Sequence, residues 1–225
     1  MCNRDSGRGR MGVRCGMSWS TFRKIIRPKG ALCVIAAFVI FATGCKHMVP
    51  LDTKPLDAAG VSYASIKKLE ALNITAEEIP EVVKMRSAGF PDDGCVSIVQ
   101  IFHQRGKPFD AGEAVAGLYQ ASVSEDAILE LANMNQLGIS AGEFQVMRLA
   151  GLSDAIILET AKHQAEGKPT LTGLSLGKLK NSGLREATLL VLVQRGVPDS
   201  AADEIIALRK RRATDAEILR RFNGS

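Results

Sequence analysis

A regular beat of helix-ending residues constrains this chain more than any other feature. Asn73, Gly89, Gly106, Ser122, Gly138, Gly151, Gly167, Gly183, Gly196 and Arg212 each follow an apolar stretch, at a mean spacing of about 15 residues. Glycine and asparagine suit the left-handed C′ position that closes a helix. Four residues before these marks stand Leu69, Met85, Phe102, Leu118, Met134, Met147, His163, Leu179, Leu192 and Leu208, apolar in every case but one. One residue after each mark the chain is again apolar, except at Lys107 and Lys168. These offsets are the C3 and C″ positions of the Schellman motif, whose side chains meet as the helix closes. A chain that must stop so often makes helices too short to stand alone, and each must bury its stripe on a neighbour.

Helix starts fall where the beat requires them. Thr75 with Glu78, Ser140 with Glu143 and Thr214 with Glu217 have capping-box spacing. Ser124 before Glu125 and Asp126, and Ser153 before Asp154, place acids in first turns, where the helix dipole favours them. Pro80 is expected to kink the helix opened by Thr75, because it lacks an N–H. The runs CVSIV and LLVLV are apolar enough for strands, but the register favours helix. A longer period is also present: LNITAEEI at 72–79 returns as LGISAGEF at 137–144. The expectation is an all-α fold of about ten short helices, a helical solenoid or compact repeat bundle. Residues 61–225 would hold two four-helix units and a partial third, with 45–60 as a polar tether.

The N-terminal region has another character. Residues 1–44 carry eight basic residues against Asp5, a net of +7; the whole chain is +5, which leaves −2 for the remainder. The basic pI therefore belongs to the leading segment and gives no argument for a nucleic-acid partner. ALCVIAAFVIFA at 31–42 is uncharged but shorter than the roughly 20 residues that span a bilayer core. With Arg23, Lys24, Arg27 and Lys29 before it, the stretch suits a secretory signal, or else an uncleaved anchor. A start at Met17 would give that signal ordinary length, with Met1–Gly16 an extended region or a stretch upstream of the true start.

The stretch closes FATGC, which resembles the lipobox of bacterial lipoproteins. Ala42 stands where the pattern usually has Leu, Val or Ile, and the resemblance covers about residues 17–46. It implies cleavage before Cys45, acylation of that cysteine, and a lipid-anchored protein of the cell envelope outside the cytoplasm. Lys46, where aspartate would favour inner-membrane retention, implies outer-membrane delivery in a cell that has that membrane. Cys2, Cys15 and Cys33 would leave with the signal, so Cys95 alone would remain free, and no disulfide could form within one chain.

Candidate chemistry is sparse. The repeated phrases HQRGKP at 103–108 and HQAEGKP at 163–169 bring a phosphate loop to mind, but Pro108 and Pro169 replace the hydroxyl residue that such a loop needs. Each phrase reads better as a helix-ending turn facing solvent. His47, His103 and His163 have no ligand-like spacing, and Asp92–Asp93 and Glu125–Asp126 read as helix-start acids, not a catalytic pair. No nucleophile elbow occurs, and no catalytic, cofactor or metal residue is assigned. The C-terminal basic residues Arg209, Lys210, Arg211, Arg212, Arg220 and Arg221 are either a solvated face or a contact for anionic lipid or a cell-wall polymer. The expected function is a membrane-tethered binding or scaffold module with a protein partner, since helical repeats make extended surfaces. An envelope enzyme or accessory subunit with an unrecognised site, and a structural spacer, are the alternatives.

Overall fold

The computed structural model describes residues 51–223, so Cys45 and the signal-like segment before it lie outside the described residues. The chain is all-helical there, without strands. In order come α1 (Lys54–Ala58), α2 (Tyr63–Ala71), α3 (Ile79–Ser87), α4 (Asp92–Gln104), α5 (Gly112–Gln120) and α6 (Glu125–Asn133). They are followed by α7 (Ala141–Leu149), α8 (Asp154–Ala165), α9 (Gly173–Asn181), α10 (Glu186–Gln194), α11 (Ala202–Lys210) and α12 (Asp215–Arg221). A 3-10 turn at Asp199–Ala201 leads into α11. α1 falls inside the segment expected to be a tether. Its Leu56 is fully buried and it packs on α3, so the packed domain begins earlier than position 61.

The helices form two layers. α1, α3, α5, α7, α9 and α11 pack in succession, and so do α2, α4, α6, α8, α10 and α12. The substantial contacts join each helix only to its first and second neighbours in the chain. The physical unit is thus a helix pair, stacked as in a solenoid. Leu69, Met85, Leu118, Met147, Leu179 and Leu192, all C3 residues, are completely buried between the layers.

The helix ends follow the expected mechanism. Nine of the ten marked residues have positive φ, from Asn73 at 57° to Gly183 at 91°. The Schellman bonds form, for example Phe90 N–H to Met85 O at 3.1 Å and Val197 N–H to Leu192 O at 3.1 Å. Gly138 is the exception. Asn135 takes the left-handed conformation at φ 59°, and Gln136 N–H closes on Leu131 O at 2.9 Å. Asparagine tolerates this region, so the helix stops three residues early and Leu131 fills the C3 slot. Pro80 does not kink a helix, because α3 starts at Ile79 and takes Pro80 into its first turn.

A clamp recurs at every second pair and accounts for the four-helix period. Arg86, at the end of α3, donates from Nη1 to Phe90 O (2.6 Å) and from Nη2 to Gly60 O (3.2 Å), beside Asp92 at 2.9 Å. Arg148 reaches Leu152 O, Ser122 O and Asp154 in the same way. Arg209 reaches Ala213 O, Gly183 O and Asp215. The aspartates in turn accept from the backbone N–H of Ser62, Ser124 and Arg185, each in the preceding pair. At the intervening pairs the arginine is replaced by Tyr119, whose ring meets Phe90 edge-on, and by Lys180, which donates to Gly151 O.

Candidate functional site

The polar residues that first suggest chemistry are mostly occupied in holding the stack together. Glu78 is buried; it accepts from Phe109 N–H at 2.7 Å and Thr75 N–H at 2.7 Å, and lies 2.6 Å from His103 Nε2. Nδ1 of the same ring faces Leu72 O at 3.0 Å, so His103 on α4 braces the α2–α3 connection, and Glu78 ties that connection to the one before α5. His163 occupies a buried C3 slot because Pro169 O stands 3.1 Å from its Nδ1, with Glu159 at 3.5 Å from Nε2. The two histidines thus have different surroundings in the two copies of the turn, and Lys107 and Lys168 after them are exposed. Asp92 belongs to the clamp, and Asp93 pairs with Lys68 at 2.8 Å on the surface. Cys95 is fully buried, and burial pushes its thiol up to about 12. A thiol so protonated at neutral pH is a poor nucleophile. Among the described residues no group of three His, Cys, Asp or Glu side chains gathers as a metal site. No helix among them is long and apolar enough to cross a membrane.

The six basic candidates divide. Arg209 is consumed by the clamp. Arg221 pairs with Glu204 at 2.5 Å, and Lys210 is exposed outside the groove formed by the others. Arg211, Arg212, Arg220 and Arg221 line one open groove of about 670 Å3 where α11 meets α12.

A second surface was not foreseen. Four of the five exposed large apolar side chains among the described residues lie about α7: Ile139 (104% exposed), Leu149 (76%), Val146 (47%) and, on α9, Leu174 (62%); the fifth, Tyr63, stands on α2. Gly142, Val146 and Leu149 stand nine, five and two residues before their C′ residue. The same offsets carry Pro80, Lys84 and Ser87 on α3, Glu113, Gly117 and Gln120 on α5, and Asp203, Ala207 and Lys210 on α11. The outward stripe is therefore apolar at α7 alone, with Leu174 at the neighbouring position on α9. Ile139 has a local cause. In the connection before α9, Leu171 at the equivalent position is fully buried; before α7, Leu137 takes the inward place and Ile139 points out. Beside the stripe a cleft of about 650 Å3 opens between the starts of α5 and α7, with Phe102, Leu137 and Ala141 among its apolar walls and Lys107, Asn135 and Gln145 among its polar ones. A Cβ at Gly138 or Gly142 would meet nothing, so the backbone there is open to an approaching group. The signal for this surface was in the sequence, but only in a comparison of outward offsets between copies.

No protein-family model, no curated protein and no solved structure matches this chain.

Proposed function

We propose that this protein is a lipid-anchored envelope module that binds a protein partner through the outward face of α7. The observation that carries the reading is that four of the five exposed large apolar side chains among the described residues lie on or beside α7, Tyr63 on α2 being the fifth. Scattered apolar residues are ordinary on a surface, but a cluster at one place in a repeating array marks a contact. The partner's contact surface would supply apolar side chains to cover Ile139, Val146, Leu149 and Leu174, with polar groups for the cleft beside them. The FATGC segment supports anchoring at Cys45, outside the cytoplasm and at the outer membrane where one exists.

Site-specific photo-cross-linking in intact cells tests the partner. A photoreactive residue at Leu149 should give one discrete higher-mass adduct, and one at the equivalent Asn181 should give much less. Equal labelling at both positions, or none at either, would sink the reading. Anchoring is tested separately: Cys45→Ala should release the protein from the membrane fraction and change its mobility. An unchanged distribution would mean that Cys45 carries no lipid.

A further inference from the structure

The described part of the chain holds ten arginines, and what each guanidinium touches separates them sharply. Arg86, Arg105, Arg148, Arg185, Arg195, Arg209 and Arg221 all donate to a backbone carbonyl or a carboxylate of the protein. Arg211, Arg212 and Arg220 have no such acceptor among the described residues, and these three line the same groove. A surface arginine without a partner is common, but three collected in one groove while every other arginine is bonded is a different matter.

Backbone strain adds an independent observation. Arg212 sits at the C′ position of α11 with φ 65°, the left-handed region where glycine closes seven of the other turns. A bulky residue there is strained relative to glycine, because its Cβ crowds the following carbonyl. The turn itself gains nothing from the arginine, because its bonds, Arg212 N–H to Arg209 O and Ala213 N–H to Leu208 O, are made by backbone alone. Helix-dipole compensation explains cations in the last turns of α11 and α12, namely Arg209, Lys210, Arg220 and Arg221. It does not explain Arg211 and Arg212, which lie past the end of α11.

The groove's one lining acid is already engaged: Glu217 accepts from Thr214 N–H and Oγ1–H in the capping box. Outside the lining, Glu204 accepts from Arg221. Glu204 stands where Glu81 and Glu143 cap the next odd helix through Gly112 N–H and Gly173 N–H. Here it engages Arg221, whose side chain lines the groove. Leu208 and Ala213 complete the lining with apolar surface.

We infer that the groove of Arg211, Arg212 and Arg220, edged by Arg221, is a binding site for a phosphate group, as a phosphodiester or pyrophosphate. Guanidinium is the planar donor that fits phosphate oxygens in pairs. Several of them on one open wall suit a group with several oxygens better than a single carboxylate. The groove's width and its openness to solvent suit a head group or a polymer-borne phosphate, not an enclosed small molecule.

The test uses the full chain in non-ionic micelles, titrated calorimetrically with inorganic pyrophosphate at low salt. The expected result is saturable binding that weakens as salt rises. Arg212→Gly should weaken it several-fold without loss of thermal stability, because glycine fits the turn. Arg211→Gln, Arg212→Gly and Arg220→Gln together should weaken it at least tenfold, while Lys178→Gln on exposed α9 should leave it unchanged. A parallel arm dopes the micelles with phosphatidylglycerol or phosphatidylcholine. Competition by the former alone assigns the site to an anionic lipid head group; no competition by either assigns it to a soluble or polymer-borne phosphate. Absence of binding, equal binding by the triple variant, or the same heat from chloride at matched ionic strength would each overturn the inference.

Discussion

Single residues at the layer contacts set the tolerances of the stack. Gly112 opens α5 against α3, and a Cβ there would lie 2.2 Å from the carbonyl oxygen of Glu81, which is backbone and cannot swing aside. Gly112→Ala should therefore lower stability by about 1–3 kcal/mol, read as a drop in thermal midpoint with helix content unchanged. Glu78 gives a pH-dependent counterpart. Burial pushes its carboxyl up, but the N–H groups of Phe109 and Thr75 and the ring of His103 outweigh that and hold it below the ordinary 4.5. A carboxylate whose folded pKa is depressed contributes its full stability above the unfolded pKa and loses it as pH falls through the folded one. The urea midpoint should thus hold near neutrality and fall below about pH 4.5. Glu78→Gln should unfold more easily at pH 7, by about 1–3 kcal/mol, and should change less than wild type between pH 5 and pH 3. A wild-type midpoint flat to pH 3 would remove Glu78 from this role.

At the scale of elements, the clamp is the device that ties one helix pair to the next. Arg209 bonds two carbonyls in different pairs and stands 3.2 Å from Asp215, which also accepts from Thr188 Oγ1–H at 2.7 Å. Arg209→Met should cost about 1–3 kcal/mol in urea unfolding, because charged hydrogen bonds are lost and Asp215 keeps its burial. Lys178→Met, on the exposed face of α9, should stay within about 0.5 kcal/mol. The helix ends were legible in the sequence because their physics is local: a Schellman turn needs only six consecutive residues in the right order. Gly138 misled because Asn135, three residues earlier, meets the same conformational need. The acids at helix starts were legible as a class, but not in their partners. Glu143 has capping-box spacing with Ser140, yet its carboxylate goes to Gly173 N–H in the next pair. Asp92 reads as a dipole complement and serves as a brace to Ser62, thirty residues back. The same limit divided the basic cluster. Arg209 and Arg211 are near neighbours in sequence, yet Arg209 meets Ala213 O and Asp215 in its own pair and Gly183 O in the preceding one, while Arg211 meets no such acceptor among the described residues.

For the whole molecule, the buried core runs continuously from Leu56 to Ile218, but contacts between first and second neighbours make stability a sum over adjoining pairs. Damage should then stay near its source. Asp215→Asn removes the charge and one of the two oxygens that Arg185, Thr188 and Arg209 share, so α9 to α12 should lose protection in native-state hydrogen exchange. α2 to α4 should keep theirs. A uniform loss across all helices would mean that the array unfolds as one unit. The same locality bears on the two surfaces. α7 and α11 are two packing steps apart, about 20 Å at ordinary helix spacing, with α9 between them. Coupling over that distance needs an element with two discrete arrangements, and short helices each closed by their own turn supply none. Pyrophosphate bound at Arg211, Arg212 and Arg220 should therefore raise protection at α11 and α12 and leave α7 unchanged. Cross-linking yield from Leu149 should likewise be the same in wild type and in the Arg211→Gln, Arg212→Gly, Arg220→Gln variant. A change in that yield would show that the array transmits strain along its length, and that its pairs do not act independently.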